Sequence, residues 1–224
     1  MNVLNITDIR KVDNMSFCGM FMNKEGILAF ADSKATKLNC FGNEIEDKKR
    51  NPQKLFKSSN VILITCGNNY ILNNNQETEI EIKLKQIIKD YDNFVYYNNS
   101  VSITFLIMEI VKLCRSSIFE DVQRCYQFVI GYIEDSIYHL CYIKVANNET
   151  ITQIIPYKNK KSIYYYVGNE KYINLFKNSL SDNMHSLEEF KTILEQGLTK
   201  AIEYFDISLE YNPVGLPINI DVFK

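Results

Sequence analysis

Residues 15–36 read Met15-Ser-Phe-Cys-Gly-Met-Phe-Met22-Asn23-Lys-Glu-Gly26-Ile-Leu-Ala-Phe-Ala-Asp32-Ser-Lys-Ala-Thr36. Two apolar runs, Met15–Met22 and Ile27–Ala31, flank the polar stretch Asn23-Lys-Glu-Gly26. Such runs joined by a short turn that contains Gly predict a β-hairpin, since Gly accepts the positive φ that tight turns demand. Leu38–Phe41 and Lys54–Lys57 follow as short strand candidates, and Val61–Cys66 reads as a buried strand ended by Gly67. Asn73–Gln76 is a polar run read as a loop or the start of a helix.

Beyond it the period changes to that of a helix. Ile80, Leu84, Ile87, Ile88 and Tyr91 recur at helical spacing, with Glu79/Lys83 and Glu81/Lys85 on the opposite face. A more apolar second helix is predicted over Val101–Ile118. Tyr126–Ile133, Ile137–Val145, Thr150–Tyr157 and Ser162–Val167 are rich in Tyr, Ile and Val and predict four strands. A third helix is expected around Tyr172–Leu180. A fourth begins at the capping box Ser186-Leu-Glu-Glu189, and its apolar stripe runs from Leu187 and Phe190 through Leu194 to Phe205. Leu216–Phe223 reads as a closing strand.

The strands come in blocks rather than alternating with helices, which disfavours a parallel βαβ fold. The order predicts an α+β protein: a four-layer αββα sandwich of two stacked antiparallel sheets flanked by helices. No linker divides the chain, so one domain is expected over residues 1–224, with 1–15 as an N-terminal extension or propeptide. A hydrophobic fraction of 46% supplies a core, and a net charge of -2 gives no basic field for nucleic acid or an anionic membrane. The longest apolar stretch is too short to span a bilayer, and the N-terminus lacks the pattern of a signal peptide.

Six cysteines, Cys18, Cys40, Cys66, Cys114, Cys125 and Cys141, show no metal-ligand spacing. They read as reduced thiols of a cytoplasmic protein. No metal or organic cofactor is indicated.

Gly26-Ile-Leu-Ala-Phe-Ala-Asp32-Ser-Lys-Ala-Thr36 resembles the proteasome subunit signature Gly-Val-x-Leu-Ala-x-Asp-x-Arg-Ala-Thr. Further landmarks fall in the same order: Lys54-Leu-Phe-Lys57 with Val61–Gly67, Tyr126–Tyr132 with Tyr138–Tyr142, and Tyr165-Tyr-Val-Gly168. The resemblance to the proteasome family, of the β type and the N-terminal-nucleophile hydrolase superfamily, spans Met15 to Phe223. It implies a self-processing peptidase fold whose subunits self-associate, in rings, and whose active members act on peptides.

Carried over position by position, the resemblance makes Asp32 the signature acid and Lys34 the replacement of the signature Arg. The nucleophile, sixteen residues before that Asp, falls on Ser16, with Cys18 a second nucleophile out of register. These three, Ser16, Asp32 and Lys34, are the candidate catalytic residues. The family's catalytic Lys falls on Asn51 by the register of Leu55, with Lys49, Arg50 and Lys54 nearby. Three features depart from the family: Met15 stands where self-processing members carry Gly, Gly168-Asn169-Glu170 replaces a Ser-Gly dipeptide, and Asn212-Pro-Val-Gly215 stands in place of Asp-x-x-Ser-Gly-Gly.

Two functions follow. One is a scaffold with weak or no peptidase activity, acting in assembly or binding. The other is a self-processing peptidase or amidohydrolase with Ser16 as nucleophile. Without the resemblance, Asp32 is a turn-satisfying residue, Ser16 an ordinary strand hydroxyl and Lys34 half of a surface ion pair. His139 reads as a structural histidine, His185 as exposed, and Tyr164–Tyr166 as alternating sheet surface.

Overall fold

Two seven-residue strands, β1 (Phe17–Asn23) and β2 (Gly26–Asp32), form the expected hairpin, with register Asn23↔Gly26 through Cys18↔Ala31. Every residue of both strands is buried, as continuous hydrophobicity demands of strands covered on both faces. The turn is exposed Lys24-Glu25, with the Asn23 side chain accepting the Glu25 amide at 2.7 Å. Gly26 is required here: φ is 147° and a Cβ would stand 2.4 Å from the carbonyl oxygen of Phe223.

The computed structural model describes residues 16–38, 44–46, 52–73, 76–98, 102–118, 124–147, 149–158, 162–179, 186–208 and 211–224. After the hairpin come β3 (Thr36–Leu38), β4 (Glu44–Glu46), β5 (Leu55–Lys57), β6 (Val61–Gly67), β7 (Tyr70–Asn73) and β8 (Gln76–Glu79). Helices α1 (Ile80–Asn98) and α2 (Thr104–Arg115) follow. Next are strands β9 (Cys125–Glu134), β10 (Ile137–Ala146), β11 (Glu149–Pro156) and β12 (Ile163–Gly168). Helices α3 (Glu170–Ser179) and α4 (Leu187–Ser208) lead to β13 (Ile218–Phe223).

The strands build two main antiparallel sheets, ordered β12-β1-β2-β13 and β11-β10-β9-β6-β5. Their inner faces meet through Met20, Met22, Ile27, Ala29, Ile62, Ile64, Val129 and Leu140, all fully buried. The outer face of the first sheet carries Phe17, Phe21, Leu28 and Phe30 against α3 and α4. That of the second carries Val61, Leu63, Phe128 and Ile130 against α1 and α2. The expected αββα sandwich is therefore the observed architecture. Each layer stabilises the next by about 25 cal/mol per Å² of apolar surface removed from water.

Helix α4 starts at its capping box, with the Glu189 amide donating to Ser186 Oγ at 3.1 Å and the Ser186 amide to Glu189 Oε2 at 2.9 Å. Of the two readings of Asn73–Gln76, the loop holds and the helix start does not: Asn73 pairs with Gln76 where β7 meets β8, residues 74–75 lying outside the described residues. Of the short strand expected at Leu38–Phe41, Leu38 ends β3, and residues 39–41 lie outside the described residues. One reading is corrected. Tyr164 and Tyr166 are not sheet surface: they pack against Phe21 and Phe17 under α3 and α4, while Tyr165 meets Tyr142 of the other sheet. The alternation was read correctly, but both faces of that strand have a covering layer.

Candidate active site

The spacing of sixteen between Ser16 and Asp32 is a property of the hairpin. Two strands of seven and a turn of two residues place Phe17 opposite Asp32, one step beyond the pair Cys18↔Ala31. The Phe17 amide donates to Asp32 Oδ1 at 3.1 Å, so the last residue of β2 reads the first of β1. On its other side β1 pairs with β12, Phe17 opposite Gly168. There the Asn169 amide donates to the Ser16 carbonyl at 2.7 Å. Gly168 has φ of 113°, and a Cβ on it would overlap that carbonyl oxygen at 1.9 Å. Ser16 thus has its backbone fixed from both neighbouring strands.

The third member comes from the other sheet. Lys54 immediately precedes β5, and its carbonyl accepts the Thr65 amide at 2.9 Å, which ties it to β6. Its Nζ lies 2.8 Å from Ser16 Oγ, 3.0 Å from each oxygen of Asp32 and 2.8 Å from the Lys34 carbonyl oxygen. An ammonium has three N–H donors, so the two Asp32 oxygens share one and every donor is engaged. Ser16, Asp32 and Lys54 are 5%, 0% and 1% exposed, which makes the cluster a desolvated ion pair with a hydroxyl on its ammonium. Burial pushes the Asp32 carboxyl up, opposed by the Lys54 charge and by hydrogen bonds from Lys54 and from the amides of Phe17 and Lys34. Asp32 also accepts the Lys34 amide at 3.2 Å.

The surface ion pair between Lys34 and Asp32 is not formed. Lys34 Nζ donates instead to the Asn212 carbonyl at 2.7 Å and sits 4.9 Å from the Tyr211 ring centroid. What Lys34 gives the cluster is main chain, its N–H to Asp32 and its C=O to Lys54. Asn212 is itself buried. Its Oδ1 accepts from Tyr172 Oη at 3.0 Å and its Nδ2 donates to Asp206 at 2.9 Å. The Asn212-Pro-Val-Gly215 segment is therefore pinned beside Lys34, where a Cβ on Gly215 would come 2.8 Å from Lys34 Cδ and the lysine side chain would have to shift.

Cys18 points between the sheets and donates to the Thr65 carbonyl at 3.5 Å. Burial holds its thiol well above the ordinary range, so it offers no thiolate nucleophile. His139 has Nδ1 2.9 Å from the Ile137 carbonyl oxygen and stacks on Tyr132, a structural role. His185 lies outside the described residues, as do Lys49, Arg50 and Asn51. Of the basic residues near the expected position, Lys54 lies among the described residues and is brought to Ser16. The available signal was its place directly against a strand. No further local pattern singles Lys54 out, because none fixes where a chain from one sheet meets the other. Among the described residues no group of three His, Cys, Asp or Glu side chains is placed to hold a metal ion. No helix among them is long and apolar enough to cross a membrane.

No protein-family model matches the sequence. No curated protein matches it either. Among solved structures, that of Thiobacillus denitrificans BPH in complex with Epoxomicin is similar, with 14% identity and a TM-score of 0.47 over 93% of this chain and 98% of that one.

Proposed function

We propose that this chain is a proteasome-like N-terminal-nucleophile hydrolase, in which Ser16 attacks an amide carbonyl once the residues before it are removed. The observation that carries this reading is the 2.8 Å contact between Ser16 Oγ and a Lys54 ammonium held by Asp32. A hydroxyl is a weak nucleophile and needs a base and a field that favours its anion. Lys54 has every donor engaged and so acts by charge, stabilising the developing alkoxide. The base is then the α-amine of Ser16 itself. While residue 15 is attached, that nitrogen is an amide and takes no proton, so the intact chain is latent.

After cleavage the amine receives the Ser16 hydroxyl proton as Oγ bonds to the carbonyl carbon. It returns the proton to the leaving amine as the amide C–N bond breaks. Water, deprotonated by the same amine, then hydrolyses the ester and restores Ser16. Peptides are the substrate class that the family resemblance suggests, and self-association into a ring is the assembly it suggests.

A second reading is an assembly or binding scaffold with weak or absent activity. Asn169, where the family carries Ser, and Asn212-Pro-Val-Gly215, where it carries Asp-x-x-Ser-Gly-Gly, favour it.

Intact mass and N-terminal sequencing of freshly purified protein separate the two. Under the hydrolase reading the chain begins at Ser16, and Ser16→Ala stays uncleaved and loses amide hydrolysis. A wild-type chain that keeps residues 1–15 through prolonged incubation and hydrolyses no peptide amide leaves the scaffold reading.

A further inference from the structure

Each main sheet ends in two edge strands, and three of the four edges are guarded. Strand β5 has three residues, and its Lys57 is paired at 2.8 Å with Asp221 of β13, so these two edges are clasped together. Strand β12 is half or fully buried along its length. Strand β11 differs. Glu149–Ile154 are all exposed, Ile151 at 41% and Ile154 at 50%. Its pairing with β10 runs unbroken over eight residues, from Ala146↔Glu149 to His139↔Pro156, so no bulge turns the edge away. On its other side it has no partner strand among the described residues.

Natural edges are blunted by charges, proline, bulges or cover, because a regular row of free N–H and C=O groups is a template for another strand. In Glu149-Thr-Ile-Thr-Gln-Ile-Ile-Pro156 the one charge is at the start, and Glu149 is engaged there by Lys144 of β10. The one proline is at the end.

We infer that β11 pairs with β11 of a second copy of this chain, antiparallel about a two-fold axis at Thr152, joining the two five-stranded sheets edge to edge. A two-fold axis normal to the sheet keeps each face on its own side, so opposed residues share a parity. Centring on Thr152 places Thr152 opposite Thr152, Thr150 opposite Ile154 and Ile151 opposite Gln153. Cross-strand pairs of β-branched residues are favourable. The register sets Glu149 opposite Ile155, keeping the two carboxylates apart, and leaves Pro156, which has no N–H to give, beyond the paired stretch. A neutral strand carries no charge code for a different partner, whereas its own antiparallel image satisfies it without repulsion. Two-fold dimers are also the commonest closed assembly.

This inference rests on the sheet order and not on Ser16, so Ser16→Ala leaves it untouched. Sedimentation equilibrium of the full chain tests it, alongside the variant Ile151→Lys/Ile154→Lys, which puts two cations on each copy's edge at exposed positions, those at 151 lying diagonally across the axis from each other. The expected results are an assembly containing the dimer in wild type, and a weakening of that step by about tenfold or more in the variant, with unchanged circular dichroism. A wild-type monomer at every concentration, or an assembly indifferent to both lysines, overturns it. Should the double variant misfold, Thr152→Cys decides: its two copies meet on the axis and form a disulfide-linked dimer in air that wild type does not. No such cross-link overturns the inference.

Discussion

Lys54 and Lys57 stand three residues apart, one directly before the short strand β5 and one at its end, and each forms an ion pair with a carboxylate of the opposite sheet. Lys54 meets Asp32 at 3.0 Å with both side chains all but inaccessible, and Lys57 meets Asp221 at 2.8 Å with side chains 39% and 43% exposed. Distance does not distinguish them; water does. An exposed pair is screened and contributes little, while a buried pair cannot lose one partner without stranding a charge in a poor solvent. The same contact chemistry therefore makes a clasp at one end of β5 and a candidate catalytic centre at the other. Only the buried end carries a hydroxyl on the ammonium.

The largest effect that could break this comparison is at Lys54. Lys54→Met leaves Asp32 buried without its ammonium and is expected to lower stability by about 3–5 kcal/mol, read by chemical denaturation. It should also abolish any hydrolysis that depends on Ser16. Combined with Asp32→Asn, the loss should be smaller than the sum of the two single losses, because the second change removes the stranded charge. An additive result would mean the pair is not coupled as its geometry implies.

Next comes a pH effect on the buried thiols. Burial raises the thiols of Cys18 and Cys114 and pushes Cys141 up to about 12. Their folded values lie above the unfolded value of about 8.5, so the unfolded chain releases these protons first. The associated stability is complete below about pH 8.5 and declines as pH rises toward the folded values, by roughly 1 kcal/mol per thiol at pH 9.5. Denaturation midpoints at pH 7.5 and 9.5 check the sign. In the native state at pH 8 these three cysteines should resist alkylation.

The smallest effect is at Lys57. Lys57→Met should change stability by about 0–1 kcal/mol and the change should vanish in high salt. A loss as large as that of Lys54→Met would show that exposure is not what separates the two pairs.

The hairpin was legible because its information is local: two apolar runs and a glycine turn also fix that Asp32 lies across from the residue after Ser16. Strands and helices from Ile80 onward were legible for the same reason, since the periods of 2 and 3.6 and the Ser186/Glu189 box act within a few residues. The hairpin of β7 and β8 was missed because Tyr70-Ile-Leu-Asn73 and Gln76-Glu-Thr-Glu79 are only four residues each, one apolar and one polar, and show no alternation. The burial of Tyr164 and Tyr166 was missed because an amphipathic-looking strand does not disclose whether its second face is also covered.

The sequence by itself determined the order of elements, the antiparallel hairpin that brings Ser16 near Asp32, and hence the four-layer sandwich. The tertiary structure alone decided that Lys54, from the other sheet, reaches Ser16. It also decided that Lys34 contributes main chain to the cluster while its ammonium turns to Asn212. Strand registers within a hairpin are set by turn length, which is written in consecutive residues. The meeting of two sheets is set by the packing of Met20, Ile27, Ile62 and Leu140 between them, and packing carries no local signature.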